Sequence, residues 1–504
     1  MNRQFLFILI FLFPFSLCAQ FISNIWVFGD SAGINFNNAP APIITSIDSR
    51  GSSASISDSL GNLLFYVCDS PDALNGGIDK PSKIYNKDFQ LMMYGDSIIG
   101  DAWYKEYVIL NFPDSENLFY EITAGVTINS GLYYSIIDMD LDSGRGAVVQ
   151  KNIQLKDSDF WCNDGLAAIK HGNGRDWWLI ARNWQFYTDT FYLYLVTPTG
   201  INLDHIQKAG DIVQSGFFRI EPSKDGSKIA CLTNKGLMSV YDFNRCNGYL
   251  SNQISIQHET TDPNFFPWYW DCEISPNNRF LYVSKPAVDN MSSTYLLQFD
   301  LLASNVAASR DTIYSAPLPV VGGLIELAPD NKMYWSCAYN PPFTFMYPYP
   351  DSVYNNINMN LSVINEPDSL GTACSFQPFS FNLGGKRTYY GLPNNPDYDM
   401  KPLYGSVCDS LSAGINDLQP ITCKLFVSYV SPWQKAFINA QNLKGTTYTL
   451  TVIDIAGKLV FKEKGRLRPP YFTRDLDCGA FANGMYIVTL TTNKEKVAQK
   501  FIKN

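Results

Sequence analysis

A short pattern recurs along most of this chain and restricts its fold more than any other feature. The pattern is a short apolar strand, a polar turn and then an aromatic or aliphatic run, and its clearest copies begin at Phe217, Cys272 and Leu324. The residues that open their turns lie 52 and 53 positions apart. Such self-similarity is typical of architectures in which each repeat buries its apolar face against its neighbour.

Weaker copies of the pattern lie at about the same spacing before and after these three. Their turns open near Ser57, Phe112, His171 and Leu383. A unit of this length has room for four short strands, which is one propeller blade, and its Asp, Asn and Gly residues fit hairpin turns. The sequence therefore predicts an all-β protein with a seven-bladed β-propeller over residues 20–400. We expect the strand-like stretch Ile25–Phe28 to close the ring by joining the last blade, because an open ring leaves sheet edges exposed.

The composition agrees with a folded β protein and excludes some functions. Apolar residues make up 46% of the 504 residues and charged residues 17%, which excludes wholesale disorder. Aromatic residues reach 14%, as suits strands. The net charge of −9 argues against a nucleic-acid-binding protein.

The first residues have the pattern of a secretory signal peptide. The apolar run Phe5–Leu17 is too short to cross a bilayer as a mature anchor, and Ala19 is a small residue of the kind that signal peptidase accepts. We expect residues 1–19 to be removed, so that the mature chain begins at Gln20. Cys18 suggests a lipoprotein as an alternative, but a leucine precedes it where lipoprotein signals need a small residue.

Ten cysteines remain after such a cut, and none of them forms a C-x-x-C pair. This spacing gives no support for a zinc ribbon or a redox motif. An exported protein can form disulfides, but buried free thiols are the interpretation that we favour for most of the ten.

The repeat fades after Gly391 into a stretch rich in Pro, Gly, Asn and Ser, and residues 401–423 resemble a linker. Residues 424–504 then carry 13 Lys or Arg and 5 Asp or Glu, a net charge of +8, in an otherwise acidic chain. This reversal predicts a separate β domain with its own partner, on which the stability of the propeller should not depend.

Two short motifs in this last domain carry a resemblance to a known family. Asp454–Lys458 reads D-x-x-G-K and Ala482–Tyr486 reads A-x-G-x-Y, and a basic end follows with Lys500 and Lys503. The segment resembles the C-terminal (type A) sorting domain of type IX secretion cargo in Bacteroidota. The start motif of that family is degraded here to Tyr429–Pro432.

The resemblance implies an immunoglobulin-like sandwich that the type IX translocon recognises, with the cargo left on the cell surface or released. The residues it implies as the sorting motif are Asp454, Gly457, Lys458, Gly484, Tyr486 and Lys503. The region before the tail is also similar to surface proteins of these bacteria, a group that has no defined activity to transfer.

The tetrapeptide Phe28–Ser31 imitates the start of GDSL-type hydrolases, in which the serine is the nucleophile. A serine nucleophile needs a base, and those enzymes supply it as Asp-x-x-His. None of the histidines His171, His205 and His258 has an Asp three residues before it. We therefore interpret Ser31 as a turn residue.

The stretch Asp138–Gly144 resembles the start of a calcium loop, but Ser143 stands where glycine is required and Val149 where glutamate is required. A strand with its apolar residues inward explains the pattern more simply. We predict no metal site and no cofactor, and a carboxylate pair for glycoside cleavage cannot be chosen among the 47 acidic residues by spacing alone.

Consecutive aromatic residues precede one blade strand, and they cannot all point inward. Three of them are Trp268, Tyr269 and Trp270, which we predict as candidates for stacking on a ligand, with packing between blades as the alternative.

Two functions follow for the exported protein. The first is a non-enzymatic binding module for a glycan, a peptide or an envelope protein. The alternative is a secreted hydrolase or lyase with carboxylates at the propeller channel, and no catalytic residue can be named for it.

Overall fold

A computed structural model gives the arrangement of most of the chain. It describes residues 21–49, 51–69, 81–100, 104–125, 131–156, 160, 162, 164–183, 188–214, 217–262, 267–289, 291–341, 353–409, 423–431 and 433–503. These residues form antiparallel strands and three short 3₁₀ turns, Asp142–Gly144, Ala307–Ser309 and Gly371–Cys374. The prediction of an all-β chain is confirmed.

Seven sheets follow one another along the described residues from 25 to 382. Sheet 1 has β1 (Ile25–Phe28), β2 (Asp30–Asn35) and β3 (Ala41–Asp48), and sheet 2 has β4 (Ser53–Ser57), β5 (Leu63–Cys68) and β6 (Lys83–Asn86). Sheet 3 has β7 (Tyr107–Asn111), β8 (Leu118–Gly125), β9 (Gly131–Asp138) and β10 (Ala147–Lys156). Sheet 4 has β11 (Leu166–Lys170), β12 (Trp177–Arg182), β13 (Thr188–Thr197) and β14 (Gly200–Val213). Sheet 5 has β15 (Arg219–Pro222), β16 (Lys228–Leu232), β17 (Met238–Phe243) and β18 (Leu250–Gln257). Sheet 6 has β19 (Asp271–Ile274), β20 (Phe280–Lys285), β21 (Ser293–Asp300) and β22 (Asp311–Pro317). Sheet 7 has β23 (Val320–Leu327), β24 (Met333–Tyr339), β25 (Asn360–Ile364) and β26 (Phe376–Asn382).

The turns of the three clearest repeats join the first two strands of sheets 5, 6 and 7. Each turn has one residue in the left-handed region, Gly226 at φ +69°, Asn278 at φ +61° and Asn331 at φ +63°. Glycine and asparagine tolerate this conformation better than other residues do. The polar turn pattern in the sequence therefore marks the reversal between the two strands.

Buried apolar clusters join each sheet to its neighbours. The cluster with Ile56, Val108 and Trp177 spans sheets 2, 3 and 4, and further clusters link sheets 4 and 5, 5 and 6, and 6 and 7. Trp26 of sheet 1 packs edge-on against Tyr334 of sheet 7, with ring centroids 5.9 Å apart, and another cluster joins sheets 1 and 2. The first strands of neighbouring sheets contact one another. The body is therefore a propeller-like ring around a central axis.

The first strand differs from its prediction. Ile25–Phe28 does not join the last sheet but pairs with β2 in a sheet of its own. The chain reverses at once because Gly29 and Ser31 both take left-handed conformations, with φ of +64° and +60°. A Cβ on Gly29 would lie 2.4 Å from the carbonyl oxygen of Arg387, so a larger residue does not fit there.

The stretch after Gly391 is packed against the body as far as residue 409. Asn394 donates its backbone N–H to Ser53 O (2.9 Å), and Tyr398 donates its hydroxyl to Ile109 O (2.7 Å). A disulfide joins Cys246 to Cys408. The other eight cysteines of the described residues are free, and seven of these are buried.

The tail forms two further sheets that face each other across one core. Sheet 8 has β27 (Lys424–Val430), β28 (Lys435–Gln441) and β31 (Phe472–Asp477). Sheet 9 has, in spatial order, β30 (Leu459–Arg466), β29 (Thr447–Asp454), β32 (Gly484–Thr492) and β33 (Lys496–Lys503). Leu450, Val488 and Ile438 are among the buried residues between them.

The outer face of sheet 8 is docked on β10 of the body. Lys151 donates its backbone N–H to Asn439 Oδ1, and Asn439 Nδ2 donates back to Lys151 O, both at 2.9 Å. The Lys151 ammonium group lies 3.4 Å from carboxylates of Asp96 and Asp475. A small cluster of Ile99, Tyr133, Val430 and Phe437 adds apolar contact. The polar linker in the sequence did not indicate this contact.

Candidate functional site

Three glutamates meet at the axis of the ring. Glu221, Glu273 and Glu326 lie on β15, β19 and β23, the first strands of three consecutive sheets. Each stands two residues before the residue that opens its repeat turn, so the repeat brings equivalent positions to the same height. One carboxylate oxygen from each lies within 4.8 Å of the other two.

A buried lysine from sheet 3 neutralises part of this charge. Lys105, which is 1% exposed, precedes β7, and its ammonium group bonds to Glu221 and lies 3.4 Å from Glu326 Oε2. The same nitrogen is 3.7 Å from Asp271 Oδ1. Among the described residues the three glutamates are a set that can hold a cation, and the lysine ammonium already contacts two of them.

A second buried cation, Arg219, lies on the same axis. Arg219 Nε is 3.2 Å from Asp271 Oδ1, and Arg219 Nη1 is 3.7 Å from Asp164 Oδ1, with all three side chains fully buried. Two cations and five carboxylates therefore share the axis. Such a cluster is stable only if protons or hydrogen bonds offset its excess negative charge.

The acid groups hold protons more tightly than usual. Burial, opposed by Lys105, raises the pKa of Glu221 to about 7, and burial opposed by Arg219 raises the pKa of Asp164 to about 6. Burial and the neighbouring carboxylates raise the pKa values of Glu273 and Glu326 well above their usual range.

Lys105 also holds its proton more tightly than usual, but for a different reason. Burial alone would lower the pKa of Lys105, but the carboxylates of Asp271 and its neighbours outweigh burial and raise it. The carboxylates around Lys105 therefore favour its charged form, whereas burial favours the neutral form of Glu273 and Glu326.

Backbone hydrogen bonds hold the carboxylates in place. Glu273 accepts the N–H of Leu327 and Asp271 accepts the N–H of Ile325, both at 2.9 Å, so two acids of sheet 6 bind the first strand of sheet 7. Asp164 Oδ1 accepts the N–H of Tyr104 at 2.8 Å. These bonds make the cluster a structural link between sheets.

One end of the axis is covered by residues 394–400. Asn394 Nδ2 bonds to Tyr107 O (3.1 Å), and Asn395 Oδ1 accepts the N–H of Ser55 (3.0 Å). A cavity of about 110 Å³ remains between this segment and the three glutamates. This cavity is small compared with the pockets of several hundred Å³ that are typical of ligand sites.

Aromatic side chains close the other end. Trp270 stacks on Phe217 (centroids 4.9 Å apart) and meets Tyr104 and Tyr390 edge-on at 5.2 and 5.1 Å. Its indole Nε1 is buried and has no hydrogen-bond partner. Trp270 as a whole is half-buried.

The other two predicted stacking residues lie beside it. Trp268 is half-buried, whereas Tyr269 is 5% exposed and donates its hydroxyl to Gln257 Oε1 (2.9 Å). Tyr269 packs in the core between sheets 5 and 6. Stacking of a ligand on Trp268 and Trp270 stays a prediction. Burial of Tyr269 hinders stacking on that residue.

Ser31 is the second residue of β2, directly after the reversal at Gly29, and it keeps a left-handed conformation with φ +60°, so it is a strand residue beside the turn and not a turn residue as we interpreted it. Its hydroxyl donates to Asp30 Oδ1 (3.3 Å), and Asp30 is paired with Arg387. The three histidines bond elsewhere: His171 to Cys246 O, His205 to Asp204 and His258 to Asp211.

The stretch Asp138–Gly144 ends β9 and continues as a 3₁₀ turn, not as the strand we expected. Asp138 accepts the N–H of Asp140, and Asp142 forms an ion pair with Arg145 at 2.9 Å. The carboxylates of Asp138 and Asp142 therefore bond to groups within the turn itself.

The sorting motif forms turns at one end of the tail. Asp454 Oδ1 accepts the N–H of Lys458 (2.9 Å), and Gly457 has φ +81°, so the first motif is the hairpin turn between β29 and β30. Gly484 has φ +153° and opens β32 with free space around its Cα.

Two members of the motif are buried. Tyr486 is 4% exposed and donates its hydroxyl to Ala482 O (2.6 Å). The Lys503 ammonium group donates to Cys478 O and Phe481 O, both at 2.8 Å, so this lysine caps carbonyls inside the domain. The predicted cleavage residues Ala19 and Gln20 lie outside the described residues.

Residues 432–504 match the family described as "Secretion system C-terminal sorting domain". They are a sorting domain of the type IX secretion system, and recognition by that machinery implies export to the cell surface or the extracellular space. No curated protein matches the chain.

The body is similar to several solved structures at low identity. The Swd1 (Cps50) β-propeller domain of Myceliophteria thermophila is 8% identical, with 62% of this chain and 93% of that chain covered and a TM-score of 0.35. An auxiliary nutrient binding protein from Bacteroides thetaiotaomicron is 10% identical, with 63% and 72% covered and a TM-score of 0.34. A puromycin-hydrolyzing peptidase of Mycobacterium tuberculosis is 10% identical, with 78% and 51% covered and a TM-score of 0.39.

Within the described part of the chain, no helix has the length and apolar character needed to cross a membrane.

Proposed function

We propose that this protein is an exported, non-enzymatic binding module. Residues 20–400 form a seven-bladed propeller with one blade for each of sheets 1 to 7, and residues 424–504 form an immunoglobulin-like sandwich. The segment 401–423 joins the two, and its first residues, as far as Cys408, are attached to the body. A signal peptide over residues 1–19 directs a Bacteroidota protein to the periplasm, and the tail then takes it to the outer surface.

The closed axis is the observation that carries the choice of a binding module. Lys105 pairs with carboxylates of the protein itself, Arg219 Nε lies 3.2 Å from Asp271 Oδ1, and residues 394–400 cover one entrance. A hydrolase or lyase of glycans or peptides needs a cleft that admits several units of its substrate. The cavity of about 110 Å³ does not provide such a cleft.

The ligand would then bind at the aromatic end of the axis. Trp268 and Trp270 are both half-buried there, and an indole ring can stack on the apolar face of a sugar or on an aromatic or proline side chain. A glycan or a peptide is therefore the ligand class we propose.

The enzyme alternative is favoured by one observation. Asp164 and Glu221 have raised pKa values, of about 6 and about 7, beside cationic side chains, as a general acid needs. The same burial that raises these pKa values also keeps both carboxyl groups away from a large substrate.

The test uses the mature chain on glycan and peptide arrays, with Trp270→Ala and Trp268→Ala as variants. Tyr404→Ala is the matched control, because Tyr404 is an aromatic residue that is 79% exposed near Cys408, at the opposite end of the ring. We expect the tryptophan variants to weaken binding by about tenfold or more and the control to leave it unchanged. Release of cleaved products that stops in Asp164→Asn would establish the enzyme instead.

A further inference from the structure

The two outer faces of the sorting domain differ in what covers them. The outer face of sheet 8 lies against β10 of the body through Asn439 and Phe437. The outer face of sheet 9 has no such cover in the described structure, and its side chains are exposed or half-buried. A partner that meets the folded full-length protein can therefore reach sheet 9 without displacing the body.

The end of sheet 9 next to the motif turns is apolar. The pairing of its strands places Leu459, Ile453, Ile487 and Lys500 in one row across all four strands. Leu459 is 51% exposed and Ile487 38% exposed. Ile455 and Ile502, at 77% and 55%, extend the patch toward the turn that contains Asp454. Such a cluster on a soluble domain is typical of an interaction surface.

The rest of this face is basic. The next two rows contain Lys462, Thr451, Thr489 and Ala498, and then Lys464, Thr449, Thr491 and Lys496. None of the positions in the three rows is acidic, and the four lysines Lys462, Lys464, Lys496 and Lys500 are exposed. A single sign of charge beside an apolar patch fits a partner surface of opposite charge.

We propose that the outer face of sheet 9 is the surface by which this protein docks on the export machinery. The partner is a protein surface with an apolar centre, which covers Ile487 and Leu459, and with carboxylates at its rim, which face Lys462 and Lys500. This inference rests on the proposed export through the tail.

The location of the motif turns supports a protein partner. The turns at Asp454–Lys458 and Gly484 shape the apolar end of the face, where two left-handed glycines, Gly457 and Gly484, set the strand ends. An anionic membrane would need lysines around the patch but no fixed turn shape. Buried Tyr486 and Lys503 hold the turn from inside, and the exposed residues make the contact.

The test measures the exported fraction of the full-length chain in the native host, on the cell surface and in the medium, against the fraction retained in the periplasm. The variants are Ile487→Glu and the double charge reversal Lys462→Glu with Lys500→Glu. The controls are Met291→Glu, a residue 95% exposed on the body, and Lys87→Glu, an exposed lysine of the body. A chain that lacks residues 424–504 measures export without any tail.

We expect both face variants to reduce the exported fraction about tenfold and both controls to leave it unchanged. Because the altered side chains are exposed, the variants should keep the wild-type melting temperature, and the charge reversal remains informative if Ile487→Glu misfolds. Normal export of the face variants, with export lost on deletion of the tail, overturns this surface alone. Normal export of the deleted chain overturns the proposed function.

A membrane partner is distinguished by sedimentation with vesicles of phosphatidylethanolamine and phosphatidylglycerol. Wild-type protein that sediments with these vesicles through Lys462 and Lys500 would identify an anionic membrane as the partner and overturn the protein partner. Protein that stays in the supernatant supports it.

Discussion

Replacement of Lys105 by methionine tests whether the axial charges hold the ring together. The substitution keeps most of the side-chain volume but removes the ammonium group that contacts Glu221, Glu326 and Asp271. Loss of one partner from a buried ion pair costs about 3–5 kcal/mol when the other partner stays charged. The cost is smaller when the carboxylates can take up protons instead.

The pH of the measurement therefore changes the size of the effect. In the folded variant the glutamate pKa values lie above those of the wild type and above the unfolded value of about 4.3, so the folded state binds protons that the unfolded state has released. Its stability then falls as the pH rises through this window, by at most about 1.4 kcal/mol per pH unit for each group. We expect a loss of about 1–2 kcal/mol at pH 5 and of about 3–5 kcal/mol at pH 8.

Urea unfolding of the mature chain, followed by tryptophan fluorescence at both pH values, measures this difference. Lys87→Met, in an exposed turn of the body, is the control and should change the free energy of unfolding by less than about 0.5 kcal/mol. An equal loss at pH 5 and pH 8 would refute the reasoning, because it would show that the carboxylates do not respond to the missing charge.

Three further predictions follow from other parts of the chain. The wild-type pKa values of Glu221 (about 7) and Asp164 (about 6) lie above the values of the same groups in the unfolded chain. The contribution of these two groups to the free energy of unfolding should therefore fall as the pH rises from about 4.5 to 7. Urea unfolding at four pH values in this range measures this fall. Cys408→Ser removes a disulfide with a sequence separation of 162, and we expect the free energy of unfolding to fall by at most about 5 kcal/mol. Cys246→Ser removes the same disulfide and should lower the free energy of unfolding by the same amount. Gly484→Val places a branched residue at φ +153° and should destabilise the sorting domain by about 1–3 kcal/mol, whereas a shift below about 0.5 kcal/mol in its thermal unfolding would contradict the strain argument.

The repeat turns could be predicted because their chemistry is local. The left-handed residues Gly226, Asn278 and Asn331 stand at the same place in each of three turns, and residues of these types mark a reversal wherever they occur. Glu221, Glu273 and Glu326 keep the same spacing, so a search of each repeat column for charged residues could have found them.

Lys105 could not have been found in this way. It lies 116 residues before Glu221 and outside the repeat pattern, and only the closed ring brings sheet 3 opposite sheets 5, 6 and 7. The covered end of the axis has the same origin, since residues 394–400 look like a linker until their amides meet the carbonyls of sheets 2 and 3.

The first sheet shows how a local conformation overrides a pattern. Ile25–Phe28 looks like a closing strand because it is apolar and precedes the first repeat. The left-handed conformations of Gly29 and Ser31 turn the chain back within three residues, so the strand acquires partners of its own. The docking of the tail on Lys151 is likewise invisible in the sequence, because its amide and carbonyl partners are not distinguished by residue type.

The most direct test of this account is whether the tail alone determines export. Two proteins are expressed in the native host behind the same signal peptide. The first is this chain ended at residue 409, and the second is a foreign soluble domain with residues 424–504 at its C-terminus. The exported and periplasmic fractions of each protein are then measured. We expect the truncated chain to remain in the periplasm as a folded protein and the fusion to reach the cell surface or the medium. Export of the truncated chain at the wild-type rate would contradict the account, because the tail would then be only a terminal β domain.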